Sequence, residues 1–329
     1  MSDYADLSQR RQIAVMRRGL EDLLEKQNVQ ADGLRLAAHA YNTTFRAVIN
    51  GQDTALRVNT NSNRSLSEVR GEVAWVQSIL ESGLDIVPHP LPIFSGSPIG
   101  LAHIAGIEQE CPVVAYSWLP GRHVREGGSI NLARHIGAIM NSLHKQADGV
   151  VLPPGAERRE VDTVLIHLEW RLPDRAPFQE VFKAGNKALD RLRKEQKAIL
   201  THFDLHAWNV KMHQGKAYVF DFDDAEYAWP AADAAQSIGY LRAWKQHEEV
   251  ESAFWKGLKA TPETLGVSQF EFEAMVAGRS LLLANDILGN NTAEIREIGP
   301  KYLTVVEKRL SHFLQTGRFD PKVATMKDA

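Results

Sequence analysis

Cysteine is almost absent from this chain. Cys111 is the single one in 329 residues, which excludes an intramolecular disulfide framework and fits a reducing compartment. An excess of one charge is missing too. The 38 Lys and Arg face 41 Asp and Glu, a formal net charge of −3, so nothing global draws the chain to nucleic acid or an anionic membrane. No apolar run approaches the roughly 18–20 residues that a membrane span needs. Residues 1–10 are polar and mixed in charge, unlike a secretory signal. Together these absences point to a soluble, cytoplasmic, globular protein with one large domain or two modest ones.

What is present divides near residue 120. Residues 8–27 carry Ile13, Met16, Leu20, Leu23 and Leu24 at helical spacing, an amphipathic N-terminal extension spanning about 1–30. Residues 31–118 read mostly as strands. The runs 44–49 and 54–59 flank Asn50-Gly51, a hairpin signal because both residues tolerate positive φ. A helix over 65–81, capped by Ser65 or Ser67, interrupts the strands, and 99–105 and 112–118 supply two more. Residues 119–317 read as helices over 131–144, 161–172, 178–197, 233–246, 249–259, 269–288 and 292–314, with one hairpin around Gln214-Gly215. Residues 318–329 read as a frayed tail. No internal repeat and no low-complexity tract is visible.

The informative segment is His202-Phe203-Asp204-Leu205-His206-Ala207-Trp208-Asn209, followed after the hairpin by Phe220-Asp221-Phe222-Asp223-Asp224. A turn centred on Gln214-Gly215 places Asn209 opposite Asp221, with Cβ atoms about 5 Å apart. An amide oxygen beside a carboxylate is a hard oxygen site, suited to Mg²⁺ shared with phosphate oxygens. Asp204, five residues before Asn209, is spaced to accept a proton from an attacking hydroxyl.

This pattern resembles the aminoglycoside phosphotransferase and choline kinase-like family, whose loop runs H-x-D-x-x-x-x-N. The resemblance implies a two-lobed, protein-kinase-like α+β fold, with a small β-rich N-lobe and a larger, mostly helical C-lobe. It implies ATP and Mg²⁺ as cofactors and a small-molecule hydroxyl as acceptor. It makes Asp204 the catalytic base and Asn209 and Asp221 the metal ligands, with Asp223 a weaker second contact. Asp233 matches the family's aspartate that braces the catalytic loop. His202 and His206 would orient that loop, and Leu143-His144 matches a structural pattern.

In the N-terminal part, Arg57 in Leu56-Arg57-Val58 stands where protein kinases carry lysine, and a guanidinium can grip phosphate oxygens bidentately. Its partner is sought on the next helix. Glu72 lies among Val69, Trp75, Val76 and Ile79, within the apolar face, whereas Glu68 lies nearer the polar edge, so Glu72 is expected to meet Arg57. Glycine is missing where a nucleotide loop is expected, over residues 38–45. Asn42, or the hydroxyls of Thr43 and Thr44, would contact phosphate instead. Backbone groups from Ser117 to Leu119 are expected to hydrogen-bond adenine.

The expected activity is transfer of the ATP γ-phosphoryl group to an aminoglycoside-, choline- or homoserine-like acceptor, with the oligomeric state left open. Three alternatives stand beside it. One is a Ser/Thr protein kinase of the same family, although no activation segment is evident between Asp224 and Asp233. Another is a nucleotide-binding scaffold, which retention of Asp204, Asn209 and Asp221 disfavours. The third is a metal-dependent hydrolase in which alternating His202, Asp204 and His206 share one strand face. Asp204, Asp223, Asp224 and Glu226, with Asp286 in the apolar run 281–288, also suggest an acceptor bearing positive charge or several hydroxyls.

Overall fold

A computed structural model describes residues 3–60, 64–124, 129–290 and 292–327. The chain forms two compact units. The first comprises residues 1–119, 152–157 and 290–297, and the second 120–151, 158–289 and 298–329.

The first unit opens with a 3₁₀ turn, Tyr4–Asp6, and helix α1, Gln9–Lys26. Strands β1 (Ala31–His39), β2 (Thr43–Ile49) and β3 (Gln52–Val58) follow, then helix α2 (Leu66–Glu81) and strands β4 (Ile99–Ala102) and β5 (Cys111–Ser117). They make one antiparallel sheet in the order β1-β2-β3-β5-β4. The Asn50-Gly51 turn has φ of 52° and 76°, a pair of left-handed residues that matches the twist of β2 and β3. The helix over residues 9–26 is not an extension. Its Met16, Leu20, Leu23 and Leu24 are buried in one core with Phe45, Leu56, Val58 and Val113. Their apolar spacing puts all four on one stripe, and the sheet face offers that stripe a partner.

At the start of α2, Ser65 and Glu68 form a reciprocal capping box, each side chain meeting the other's backbone amide. The Glu68 carboxylate is thereby spent on the helix end and on Arg64, 3.4 Å away. Glu72, one turn further along, is left to face inward.

The second unit carries β6 (Arg122–His123), α3 (Ile130–Ala147), α4 (Ala176–Glu195) and β7 (Ile199–Thr201). A 3₁₀ turn, Ala207–Asn209, leads into the hairpin β8 (Val210–His213) and β9 (Lys216–Val219). Then come β10 (Glu226–Ala228), α5 (Pro230–Leu241), α6 (His247–Leu258), α7 (Gln269–Gly289) and α8 (Ala293–Thr316), whose first residues belong to the other unit. Strand β7 pairs with β10, and β6 with the β8–β9 hairpin. Helices α3 and α6 touch backbone to backbone. A Cβ on Gly137 would lie 2.1 Å from the Phe254 carbonyl, and one on Gly257 2.1 Å from that of Arg134. Any side chain at either position would push the helices apart.

Two expectations fail in this unit. Residues 161–172 are turns, not helix. Asp162 there accepts the amides of Thr163 (2.6 Å) and His167 (2.8 Å), and Ile166 and His167 both take left-handed φ, of 48° and 62°. A side chain that satisfies local amides competes with helix formation. The segment after residue 317 is not frayed either. Arg242 donates to the Phe319 carbonyl (2.9 Å), and Glu273 accepts the Phe319 amide (2.9 Å). Arg242 also binds Glu273 at 2.6 Å and Glu251 at 2.8 Å, all within the interior. No helix among the described residues is long and apolar enough to cross a membrane.

Candidate active site

The loop between β7 and β8 is shaped by one strained residue and one brace. Phe203 has φ of 60°, a left-handed conformation that a bulky side chain adopts only where surroundings enforce it. The enforcement comes from α5, where buried Asp233 accepts the Phe203 amide on Oδ1 at 2.9 Å. The other oxygen of Asp233 lies 2.7 Å from Nε2 of His144 on α3. Thus the expected brace and the Leu143-His144 pattern meet on one carboxylate.

Within the loop, Asp204 and Asn209 are in direct contact. Asn209 Nδ2 donates to the Asp204 carbonyl (2.8 Å) and to Asp204 Oδ2 (3.0 Å). Two acceptors on one side identify the amide nitrogen and leave Asn209 Oδ1 as the atom that can face a metal. Phe220 donates its amide to the Asn209 carbonyl at 3.1 Å, and Val210 pairs with Val219. The register therefore sets Asn209 against Phe220, and Asp221 falls one residue beyond the pairing expected from the turn. Asp221 is exposed and has φ of 65°, which re-aims it after the hairpin. An amide oxygen and a carboxylate are still hard donors, so the set fits Mg²⁺ in chemistry. The backbone after Asp221 is held by Arg158, which donates to the carbonyls of Asp223 (2.6 Å) and Ala225 (2.5 Å).

Both histidine rings are tied into the loop by hydrogen bonds. His202 is wholly buried, and burial pushes its pKa below the usual value, so its ring is neutral. Its Nε2 donates to the Phe220 carbonyl at 3.1 Å, and Nδ1 accepts the Asp204 amide at 3.3 Å. His206 accepts the Trp208 amide on Nδ1 and donates from Nε2 to Asp204 Oδ2, each at 3.3 Å. With both nitrogens of each ring engaged, neither offers a lone pair to zinc or iron. The hydrolase alternative is corrected on that ground.

Two side chains that reach Asp204 went unseen in the sequence. Arg279, from α7, donates to Asp204 Oδ1 at 2.5 Å and to the Tyr240 hydroxyl at 2.7 Å. Tyr240, from α5, lies 3.5 Å from Asp204 Oδ1, and its ring stacks on His206 at 4.2 Å. Burial alone would raise the Asp204 carboxyl, but the His206 hydrogen bond and the Arg279 charge override it and hold the group well below the usual carboxylate range. Burial holds the Tyr240 hydroxyl protonated. A lone charge among Met275, Val276, Ala277, Leu281 and Leu282 was the available signal for Arg279.

In the other unit, Arg57 Nη2 and Glu72 Oε2 are 2.5 Å apart, with side chains 8% and 1% exposed. Tyr116 donates its hydroxyl to Glu72 Oε1 (2.9 Å), and Arg57 Nε donates to Asn59 (3.0 Å). The turn over residues 40–42 is tight, and Asn42 accepts the Thr60 amide at 3.2 Å. Thr43 is wholly buried, and its hydroxyl meets His39 at 2.8 Å. Ser117 donates its amide to the His89 carbonyl (2.8 Å), and Trp118 donates its own to Asp53 (2.9 Å). Leu119 is buried.

Comparison with known proteins gives one sequence result and several structural ones. The model of the phosphotransferase enzyme family matches residues 32–265. A search of curated protein sequences found no match. Among solved structures, an amicoumacin kinase in complex with AMP-PNP, Ca²⁺ and Ami is similar at a TM-score of 0.69 and 19% identity, covering 92% of this chain and 96% of that one. A microcompartment-associated aminopropanol kinase is similar at 0.68 and 18%, covering 92% and 98%. A choline kinase from Streptococcus pneumoniae is similar at 0.61 and 15%, covering 90% and 99%. These likenesses establish a kinase-like fold.

Proposed function

Since the chain belongs to the phosphotransferase enzyme family, we propose that it transfers the γ-phosphoryl group of ATP, with Mg²⁺, to a hydroxyl of a small molecule. The observation that carries this reading is the contact of Asp204 with Asn209 on a loop braced by Asp233. It puts a proton acceptor and an amide oxygen donor on one rigid segment, with Asp221 just past the paired hairpin. The acceptor oxygen bonds to the γ-phosphorus as the bond to the bridging oxygen breaks. ADP leaves with that electron pair, and the hydroxyl proton passes to Asp204. Asn209 Oδ1 and Asp221 would hold Mg²⁺, which when bound neutralises phosphate charge. Arg57, kept in place by Glu72, would grip phosphate oxygens. Asn42 would face the phosphates. Backbone groups from Ser117 to Leu119 would meet adenine, other than the Ser117 amide, which is spent on His89. The AMP-PNP complex of the similar kinase supports a nucleotide reading.

A screen of hydroxyl acceptors with γ-labelled ATP tests the proposal. Asp204→Asn should lower kcat by about 10²-fold or more, the usual scale for losing a positioned general base. Asp221→Ala should abolish transfer with Mg²⁺ or Mn²⁺. Wild-type turnover by Asp204→Asn would remove the base assignment.

A further inference from the structure

On the phosphotransferase reading, we infer that Tyr240 is a further residue of the acceptor site and Arg279 its positioning partner. The reacting hydroxyl sits between Asp204 Oδ1 and the Tyr240 hydroxyl, donating to the first and accepting from the second.

A carboxylate offers about four acceptor sites over its two oxygens. Asp204 Oδ2 receives Asn209 Nδ2 at 3.0 Å and His206 Nε2 at 3.3 Å, both from its own loop. Oδ1 receives Arg279 Nη2 at 2.5 Å, from α7. The Tyr240 hydroxyl stands 3.5 Å from Oδ1, well beyond the roughly 2.7–2.8 Å of a good contact between hydroxyl and oxygen. One lone pair of Asp204 is thus open, and it belongs to Oδ1. The side chain is 17% exposed, so an acceptor can reach it.

The same 3.5 Å gap suits one bridging oxygen. An atom about 2.8 Å from Oδ1, on the side away from Arg279 Nη2, can lie about 2.8 Å from the Tyr240 oxygen as well. Tyr240 is equipped for that second contact. Its oxygen already accepts from Arg279 Nη2 at 2.7 Å, which leaves its own proton to donate. Burial keeps that proton in place, and stacking on His206 at 4.2 Å holds the ring against the loop. The acceptor oxygen then has one lone pair on Tyr240, its proton on Oδ1 and the other lone pair free for the γ-phosphorus. As the new bond to phosphorus forms, the hydroxyl bond breaks and the proton moves to Oδ1. Two contacts fix the direction of attack, the share of catalysis that positioning supplies.

Arg279 acts through these two oxygens. Held only at Oδ2, the carboxylate is free to turn about its broad terminal torsion. The Nη2 contact fixes the carboxylate plane and keeps the Tyr240 oxygen beside it. Stability alone does not account for this arginine. It is 6% exposed, its buried Nε has no hydrogen-bond partner, and a buried ion pair is often no more stable than apolar packing.

The test uses the full chain with choline, 1-amino-2-propanol, homoserine, glycerol and kanamycin as probes, within a wider screen of hydroxyl compounds. Transfer from γ-labelled ATP is followed with each, and the fastest serves for the variants. Tyr240→Phe removes the hydroxyl and keeps the ring. It should lower kcat/KM for the probe about fivefold or more, the scale of one lost hydrogen bond, and leave the KM for ATP unchanged. Arg279→Gln should lower kcat about tenfold or more, with Arg279→Lys recovering part of the loss, while calorimetry shows AMP-PNP binding as in the wild type. In an Asp204→Asn background, Arg279→Gln should cost less than about twofold, because a residue that acts through Asp204 has nothing left to act on. An unchanged kcat/KM for the probe in Tyr240→Phe overturns the inference, and so does the full further loss on adding Arg279→Gln to Asp204→Asn. Should Arg279→Gln fail to fold, Tyr240→Phe decides. Failure of these arms with Asp221-dependent transfer intact sinks this inference alone. No Asp221-dependent transfer to any compound in the screen sinks the phosphotransferase reading, and this inference with it.

Discussion

Truncating Glu72 to alanine leaves the Arg57 guanidinium, 7% exposed, without its carboxylate and strips the Tyr116 hydroxyl of its acceptor. Breaking a buried ion pair from one side costs about 3–5 kcal/mol. Some of that cost relaxes through Asn59, which already accepts from Arg57 Nε at 3.0 Å. We expect about 4 kcal/mol for Glu72→Ala and about 3 for Arg57→Met, which keeps the packing of the stem. The double variant Arg57→Met/Glu72→Ala should cost only about 2–3 kcal/mol, since replacing both members of a buried pair with apolar groups removes the unpaired charge and leaves mainly the cavity at residue 72. The coupling is then about 4–5 kcal/mol, far above the roughly 0.5 kcal/mol within which independent sites add. A chain of two units need not melt in one transition, so the readout should be local. Native-state hydrogen exchange of peptides from α2 and β3 reports the opening free energy of this region. Single losses that add within about 0.5 kcal/mol would refute the pair as an energetic unit. ATP use should follow the same non-additive pattern.

Three further outcomes are expected. Asp233→Ala removes the acceptor of the left-handed Phe203 amide and the partner of His144, so it should destabilise the second unit by about 1–3 kcal/mol and cut turnover about tenfold or more; wild-type turnover would show that the loop keeps its shape unaided. Cys111 is 3% exposed and burial pushes its thiol up to about 11, so a thiol reagent at pH 8 should label native protein at least about 10²-fold more slowly than unfolded protein; fast native labelling would contradict that burial. Glu271 is held down to about 2 by Arg191 and Ser268, so its contribution to stability is full above about pH 4.5 and declines as pH falls toward 2; Arg191→Met should flatten that part of an acid melt, and an identical acid profile would rule the pair out.

The parts of this molecule that local patterns determine were legible. Glu72 was readable because its neighbours at helical spacing are apolar while Glu68 lies nearer the polar edge, and the structure adds that Glu68 is engaged in a capping box with Ser65. The H-x-D-x-x-x-x-N spacing put Asp204 and Asn209 together because five residues make one turn of loop. The residue numbers of the β8–β9 pairs sum to 429, one of the two sums that a turn at Gln214-Gly215 suggests, so Asn209 falls against Phe220 and Asp221 one residue further on. Arg279 and Tyr240 arrive from helices far along the chain, and their meeting with Asp204 is a tertiary event with no local trace. Asp286 drew notice on the same helix for the same reason that Arg279 should have, a charge in an apolar run. Residues 161–172 kept a helical apolar spacing, yet the Asp162 side chain and a bond from the Val164 amide to Asn186 at 2.9 Å replaced the helix.

Ribosomes deliver a chain from its N-terminus, and the Arg242 cluster makes that direction matter. Arg242 emerges just after α5, but its partners Glu273 and Phe319 follow 31 and 77 residues later. Until Glu273 clears the exit tunnel, that buried cation has only the Glu251 carboxylate to answer it. The first unit also waits, because the Ala40 carbonyl is met by the Thr292 hydroxyl from 252 residues downstream. Neither unit can close by the usual N-to-C relay of domain folding during synthesis. A nascent chain stalled near residue 290 would show two open units to chaperones and proteases. A ribosome-release assay should find both acquiring protease resistance together, and late.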